Sequence, residues 1–90
     1  MIRASFVVAA VLLASSADAQ VGLWRAQAER GDVAAAYKLG VAYRDGDGVL
    51  QDYVEADIWM GLAGLLAGPN DPPKYVEEAR ELEKKLVGSA

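Results

Sequence analysis

The chain has 90 residues and a formal net charge of −4, and it contains no cysteine and no histidine. A chain of this length forms one small domain. Because it has no cysteine and no histidine, it can form no disulfide bond and no Ser–His or Cys–His catalytic pair, and it lacks the two commonest zinc ligands. The acidic balance argues against a nucleic-acid surface and against a polybasic membrane anchor, because both need clustered Lys and Arg.

Residues 1–19 have the pattern of a secretory signal peptide. A basic start at Arg3 precedes an apolar run, and the small-x-small sequence Ala17-Asp18-Ala19 follows it. The apolar run is about eleven residues long, whereas a membrane-spanning helix needs about twenty. We therefore expect cleavage near Ala19–Gln20, export to the periplasm or the medium, and a mature domain of residues 20–90.

Helical patterns dominate the rest of the chain, which shows no sustained apolar–polar alternation. The sequence predicts four helices, over about residues 23–30, 33–44, 53–67 and 73–87. Gly31 is a typical helix end, and Asp32 and Asp52 are typical N-caps of the helices that follow them. The predicted fold class is therefore all-α.

The last two predicted helices differ in how they distribute charge. The third has no charged residue from Ile58 through Asn70. A helix that is apolar nearly all round must be covered by other parts of the protein on more than one side. The fourth is charged except for one apolar stripe, predicted to contain Val76, Ala79, Leu82 and Leu86. We expect the third helix to lie between neighbours and the fourth to cap the domain.

Glycines within two predicted helices indicate close helix packing. Gly40 and Gly61 each destabilise their helix by about 1 kcal/mol relative to Ala. A glycine inside a helix often allows the backbone of another helix to approach closely. We therefore expect close contacts at both positions.

The segment from Trp24 to Gly68 contains a repeat-like pattern, in which Trp24-x-x-x-Ala28 recurs as Trp59-x-x-x-Ala63. The residues between them, with GDGVLQDYVEA as the most specific run, are similar to the Sel-one-like repeat, a short relative of the tetratricopeptide repeat. The signature positions are Ala35, Leu39, Gly40, Tyr43, Gly46, Gly48, Val49, Asp52, Tyr53, Ala56, Trp59 and Ala63.

This resemblance implies one helix-turn-helix unit of an α-solenoid, with a half repeat before it and a capping helix after it. It also implies a protein-binding role. The sequence departs from the family pattern at Leu50, where Pro is common, and at Gly64, where a second Ala is usual. These departures leave the fold prediction unchanged.

The polar residues indicate no catalytic, cofactor or metal site. Residues 20–90 contain no Thr and only one Ser, Ser89. Counted from Asp45, the loop has Leu50 and Ala56 where an EF-hand calcium loop needs Gly and Glu. We therefore expect a protein that is not an enzyme and needs no cofactor.

One full repeat is too little to bury its own apolar faces, since solenoid arrays usually need three or more repeats. We expect the remaining apolar surface to bind a protein or peptide, or a second copy, in the groove between the third and fourth helices. The predicted interaction residues are Leu62, Leu65, Leu66 and a partly exposed Tyr75. The alternative is a small membrane-associated protein that inserts residues 58–67, although membrane contact is the weaker expectation.

Overall fold

The computed structural model of the chain describes residues 16–88; most of the predicted signal peptide lies outside the described residues. This part of the chain is all-helical, as predicted. Its four helices are α1 (Ser16–Glu29), α2 (Val33–Asp45), α3 (Tyr53–Leu66) and α4 (Lys74–Gly88).

Helix α1 begins before the predicted start near Leu23, which is therefore wrong. Its first turns pack against the loop that follows α2: a Cβ atom at Gly48 would lie 3.2 Å from the carbonyl oxygen of Ala17 and 3.1 Å from Cγ2 of Val21. Val21 is buried as a result. The predicted cleavage site after Ala19 lies in the second turn of α1.

Local capping interactions fix the ends of α2 and the start of α3. The side chain of Asp32 accepts a hydrogen bond from the Ala35 amide at 3.0 Å, and Asp52 accepts from the Glu55 amide at 3.1 Å. Gly46 ends α2 with a left-handed φ of 71° and donates its N–H to the Ala42 carbonyl. Both predicted N-caps are confirmed.

The core lies where α2 crosses α3. Leu39 of α2 and Met60 of α3 are the largest fully buried side chains among the described residues. Small residues surround them, and Gly40 lies directly against α3, which confirms the close contact predicted there. A Cβ atom at Gly61 would meet no atom of another helix within 4 Å among the described residues, so the close contact predicted at that position is wrong.

Helix α4 packs on α3 through three of the four residues of the predicted stripe, Ala79, Leu82 and Leu86, but not through Val76. Its most buried residues are Tyr75 and Leu82, whereas Val76 is exposed. Tyr75 takes the place of Val76 because its ring stacks on Tyr37 of α2, with 4.6 Å between the ring centroids. Gly64 of α3 lies next to this contact, beneath α4.

Candidate interaction surface

Helix α3 has an apolar face that no described residue covers. Its inner side buries Ala56, Met60 and Ala63, and its other side consists of apolar residues that remain in contact with solvent. We call this surface the outer face of α3; it comprises Val54, Ile58, Gly61, Leu62, Leu65 and Leu66.

The exposed fractions of these side chains are high for aliphatic residues. Leu65 is 85% exposed, Val54 63% and Ile58 54%, while Leu62 is half-buried. Single exposed aliphatic residues are ordinary, but a contiguous row along three turns of a helix is typical of a contact surface.

The outer face does not lie in the predicted groove between α3 and α4. Contact with α4 is made by Gly64, near which Ala79 and the backbone of Tyr75 lie. At 100° per residue, Leu62 and Leu66 are about 160° around α3 from Gly64. These two leucines therefore point away from α4, and the predicted groove is wrong for both.

Tyr75 is not part of any exposed surface. Only 7% of it is exposed, so the prediction of partial exposure is wrong. In the sequence Tyr75 comes just before the apolar stripe predicted for α4, but its ring is held by Tyr37 on a helix distant in sequence.

Sequence reasoning missed Val54 and Ile58. Their four-residue spacing, continued by Gly61 and Leu65, places them on one side of a helix. This signal is present in the sequence, but the open apolar surface is predicted in the groove toward the fourth helix, at Leu62, Leu65 and Leu66.

The residues predicted to form the repeat signature are divided between core, turn and cap. Ala35, Leu39 and Gly40 pack in α2 against Ala56 and Ala63 in α3. The turn is formed by Gly46, Gly48 and the half-buried Val49, with Asp52 as the N-cap and Tyr53 exposed at its end. None of these residues contributes to the outer face.

Arg25 connects α1 to α2 and α3. Its guanidinium carbon lies 5.7 Å from the Tyr43 ring centroid and 5.6 Å from that of Trp59, and it donates a hydrogen bond to the Tyr43 hydroxyl. Nε1 of Trp59 donates to the Glu55 carboxylate at 3.3 Å. These contacts give Tyr43 and Trp59 a structural role in holding three helices together.

A polar network joins α2 to α4 on the other side of the molecule. The Glu78 carboxylate accepts from the Tyr37 hydroxyl at 2.9 Å and pairs with Arg44 at 3.1 Å. Burial, and then the Glu78 carboxylate, raise the pKa of Tyr37 to about 12. The hydrogen bond to Asp45, followed by that to Glu78, raises the pKa of Arg44. This network orients α4 on α2.

Among residues 16–88, no three carboxylates come together in a way that would hold a metal ion. No helix in this range has both the length and the apolar character needed to cross a membrane. No family model, curated protein or solved structure matches the chain.

Proposed function

We propose that the protein is an exported, non-catalytic helical module that binds another protein or peptide through the outer face of α3. The observation that carries the proposal is the apolar row from Val54 to Leu65, which lies opposite the buried side of α3. Burying an aliphatic side chain is worth about 1.5–3 kcal/mol. A partner that covered this row would therefore be bound largely by the hydrophobic effect.

The structural roles of the signature residues support assignment to the Sel-one-like repeats. Gly40 lies at the crossing of the two repeat helices, and Gly46 and Gly48 adopt positive φ angles in the turn between them. These are roles that require glycine. A repeat of this type suits a binding module, since solenoids present extended surfaces to partners.

The N-terminal sequence supports export. Arg3, the apolar run and Ala17-Asp18-Ala19 form a complete signal pattern. Cleavage after Ala19 removes Ala17, which lies against Gly48, but leaves Val21 and Arg25, which also join α1 to the rest of the domain.

The residues available for chemistry support a role without catalysis. Residues 20–90 contain no Cys, His or Thr, and Ser89 is their only Ser. Most covalent mechanisms require a nucleophile beside a base, and residues 20–90 lack the side chains that usually form this pair.

Site-specific photo-crosslinking in the exported fraction tests the proposal. A photoreactive amino acid at Leu65 is expected to give protein adducts, and the same amino acid at the exposed Lys38 on α2 is the matched control. Adducts that form equally at both positions, or at neither, would contradict the proposal.

The exposed apolar row also favours the second candidate, a protein that lies on a membrane surface through α3. Flotation of the exported protein with vesicles separates the two functions. Co-flotation that is lost in Leu65→Glu supports membrane association, whereas a protein that stays at the bottom of the gradient supports protein binding.

A further inference from the structure

We infer that the partner of the outer face is a basic amphipathic helix, in which Lys or Arg residues flank an apolar stripe. This inference rests on the proposed function and specifies the partner's chemistry. It follows from the distribution of charge around the outer face.

The negative charge of the protein is concentrated around α3. The segment of residues 45–73 contains no Lys or Arg, and its acidic residues are Asp45, Asp47, Asp52, Glu55, Asp57 and Asp71. Helix α4 carries four basic and four acidic residues, and therefore no net charge. The outer face thus lies in the acidic part of the molecule.

Two carboxylates lie beside the apolar row in the N-terminal half of α3. On a helical wheel, Glu55 lies about 60° beyond Ile58, on the side of Leu62 and Leu66, and Asp57 lies about 60° beyond Val54, on the side of α4. Glu55 also accepts a hydrogen bond from Nε1 of Trp59 at 3.3 Å, which holds its carboxylate at this position. A partner with an apolar stripe and basic residues at its edges matches this pattern in both hydrophobicity and charge.

The charged edges are confined to the N-terminal half of α3. From Ile58 to Leu66 the helix has no charge. The complementary helix therefore needs its basic residues near one end and an uncharged apolar stripe toward the other. A row from position 54 to position 65 is about 17 Å long, which corresponds to about three turns of a bound helix.

The same charges disfavour the other occupants. A second copy, in either orientation, offers no basic residue from its own outer face, because residues 45–73 contain none. An anionic membrane surface would place its negative charge against Glu55 and Asp57. Like charges brought together at an interface oppose binding.

The test uses the exported protein and three fluorescent synthetic helices of 14 residues. The first has a leucine stripe with flanking Lys, the second has Glu in place of each Lys, and the third has the composition of the first in scrambled order. Fluorescence anisotropy is expected to show binding of the Lys helix, and roughly tenfold or greater weakening for each of the others.

Variants locate the binding on the protein. Ile58→Ser/Leu65→Ser is expected to weaken binding of the Lys helix roughly tenfold or more, whereas Leu50→Ser, at an exposed leucine in the loop, should leave it unchanged. Glu55→Gln/Asp57→Asn is expected to weaken binding several-fold and to reduce its dependence on salt. Circular dichroism verifies that each variant is folded.

Any of three results would overturn the inference. The Lys helix does not bind, the Lys and Glu helices bind equally well, or Leu50→Ser weakens binding of the Lys helix as much as Ile58→Ser/Leu65→Ser does. The crosslinking experiment distinguishes this failure from failure of the proposed function. Adducts from Leu65 to a second copy, or to a protein without a basic amphipathic segment, would overturn the inference alone. The absence of any site-specific protein adduct would overturn both.

Discussion

Gly40 of α2 lies so close to Met60 of α3 that a side chain has no room between the two helices. A Cβ atom at Gly40 would be 2.8 Å from the backbone nitrogen of Met60 and 3.2 Å from the carbonyl oxygen of Ala56. The side chain of Met60 lies nearer still, but these two atoms belong to the backbone of α3, which cannot rotate away as a side chain can. Gly61, one residue after Met60, has open space around it.

This difference predicts opposite effects of the same substitution. Gly40→Ala is expected to destabilise the protein by about 1–3 kcal/mol, because it forces α2 and α3 apart. Gly61→Ala is expected to stabilise it by up to about 1 kcal/mol, because alanine is the better helix former and meets no obstacle. Urea unfolding followed by circular dichroism measures both. Equal shifts of the two midpoints in one direction would refute the close crossing.

The core and the outer face are expected to respond differently to loss of an aliphatic side chain. Leu39→Ala should lower the free energy of unfolding by about 2–5 kcal/mol, because the side chain is fully buried. Leu65→Glu should change it by no more than about 0.5 kcal/mol, since the side chain is mostly exposed. Thermal unfolding of the two variants provides the comparison.

Sedimentation over a concentration series adds the binding measurement. If the outer face mediates self-association or partner binding, Leu65→Glu loses the complex while its melting temperature stays near that of the wild type. A large fall in melting temperature for Leu65→Glu would mean that Leu65 belongs to the core.

Ionisation of Tyr37 is expected to reduce stability at high pH. Its pKa is raised from 10.0 to about 12 in the folded protein, by burial and by the Glu78 carboxylate. A raised folded-state pKa gives a contribution that is complete below the unfolded pKa and is lost as the pH rises through the folded pKa. The contribution of the Tyr37 hydroxyl should therefore be constant below pH 10 and decline between pH 10 and about 12.

The measurement compares the wild type with Tyr37→Phe. At pH 8 the variant should be less stable by about 1 kcal/mol, the usual worth of one hydrogen bond. The difference should shrink above pH 10, whereas titration of other groups affects both proteins equally. A difference that is independent of pH up to 11 would show that the pKa of Tyr37 is not raised in the folded protein.

Processing is expected to produce an N-terminus at Gln20. Intact-mass analysis of periplasmic or secreted material tests this directly. The processed protein should keep most of α1, because Val21 and Arg25 still anchor it to the rest of the domain. Recovery of only the full-length chain, in membranes, would contradict the assignment of the signal peptide.

The parts of the fold that depend on local interactions were predictable from sequence. Asp32 and Asp52 cap the helices that begin immediately after them, and Gly31 takes the positive φ expected of a residue between helices. Such contacts join residues a few positions apart, so their pattern is visible in a short stretch of sequence.

The parts that depend on distant residues were not predictable. Tyr75 is buried because its ring stacks on Tyr37, a contact that neither local sequence specifies. The start of α1 was missed because an alanine-rich stretch suits both a signal peptide and a helix. The helical period places Ile58 beside Leu65 on the outer face. Whether another helix covers that face depends on the whole fold, so its exposure could not be predicted from the local sequence.

Each helix packs mainly against the next helix along the chain: α1 on α2, α2 on α3 and α3 on α4. Folding therefore closes mostly short loops, and helical proteins with such local contacts fold in microseconds to milliseconds. Rapid folding shortens the time for which Leu39 and Met60 are accessible to other unfolded chains. Since partly folded chains aggregate through such apolar residues, the order of the helices protects a protein that has no disulfide bond to stabilise it.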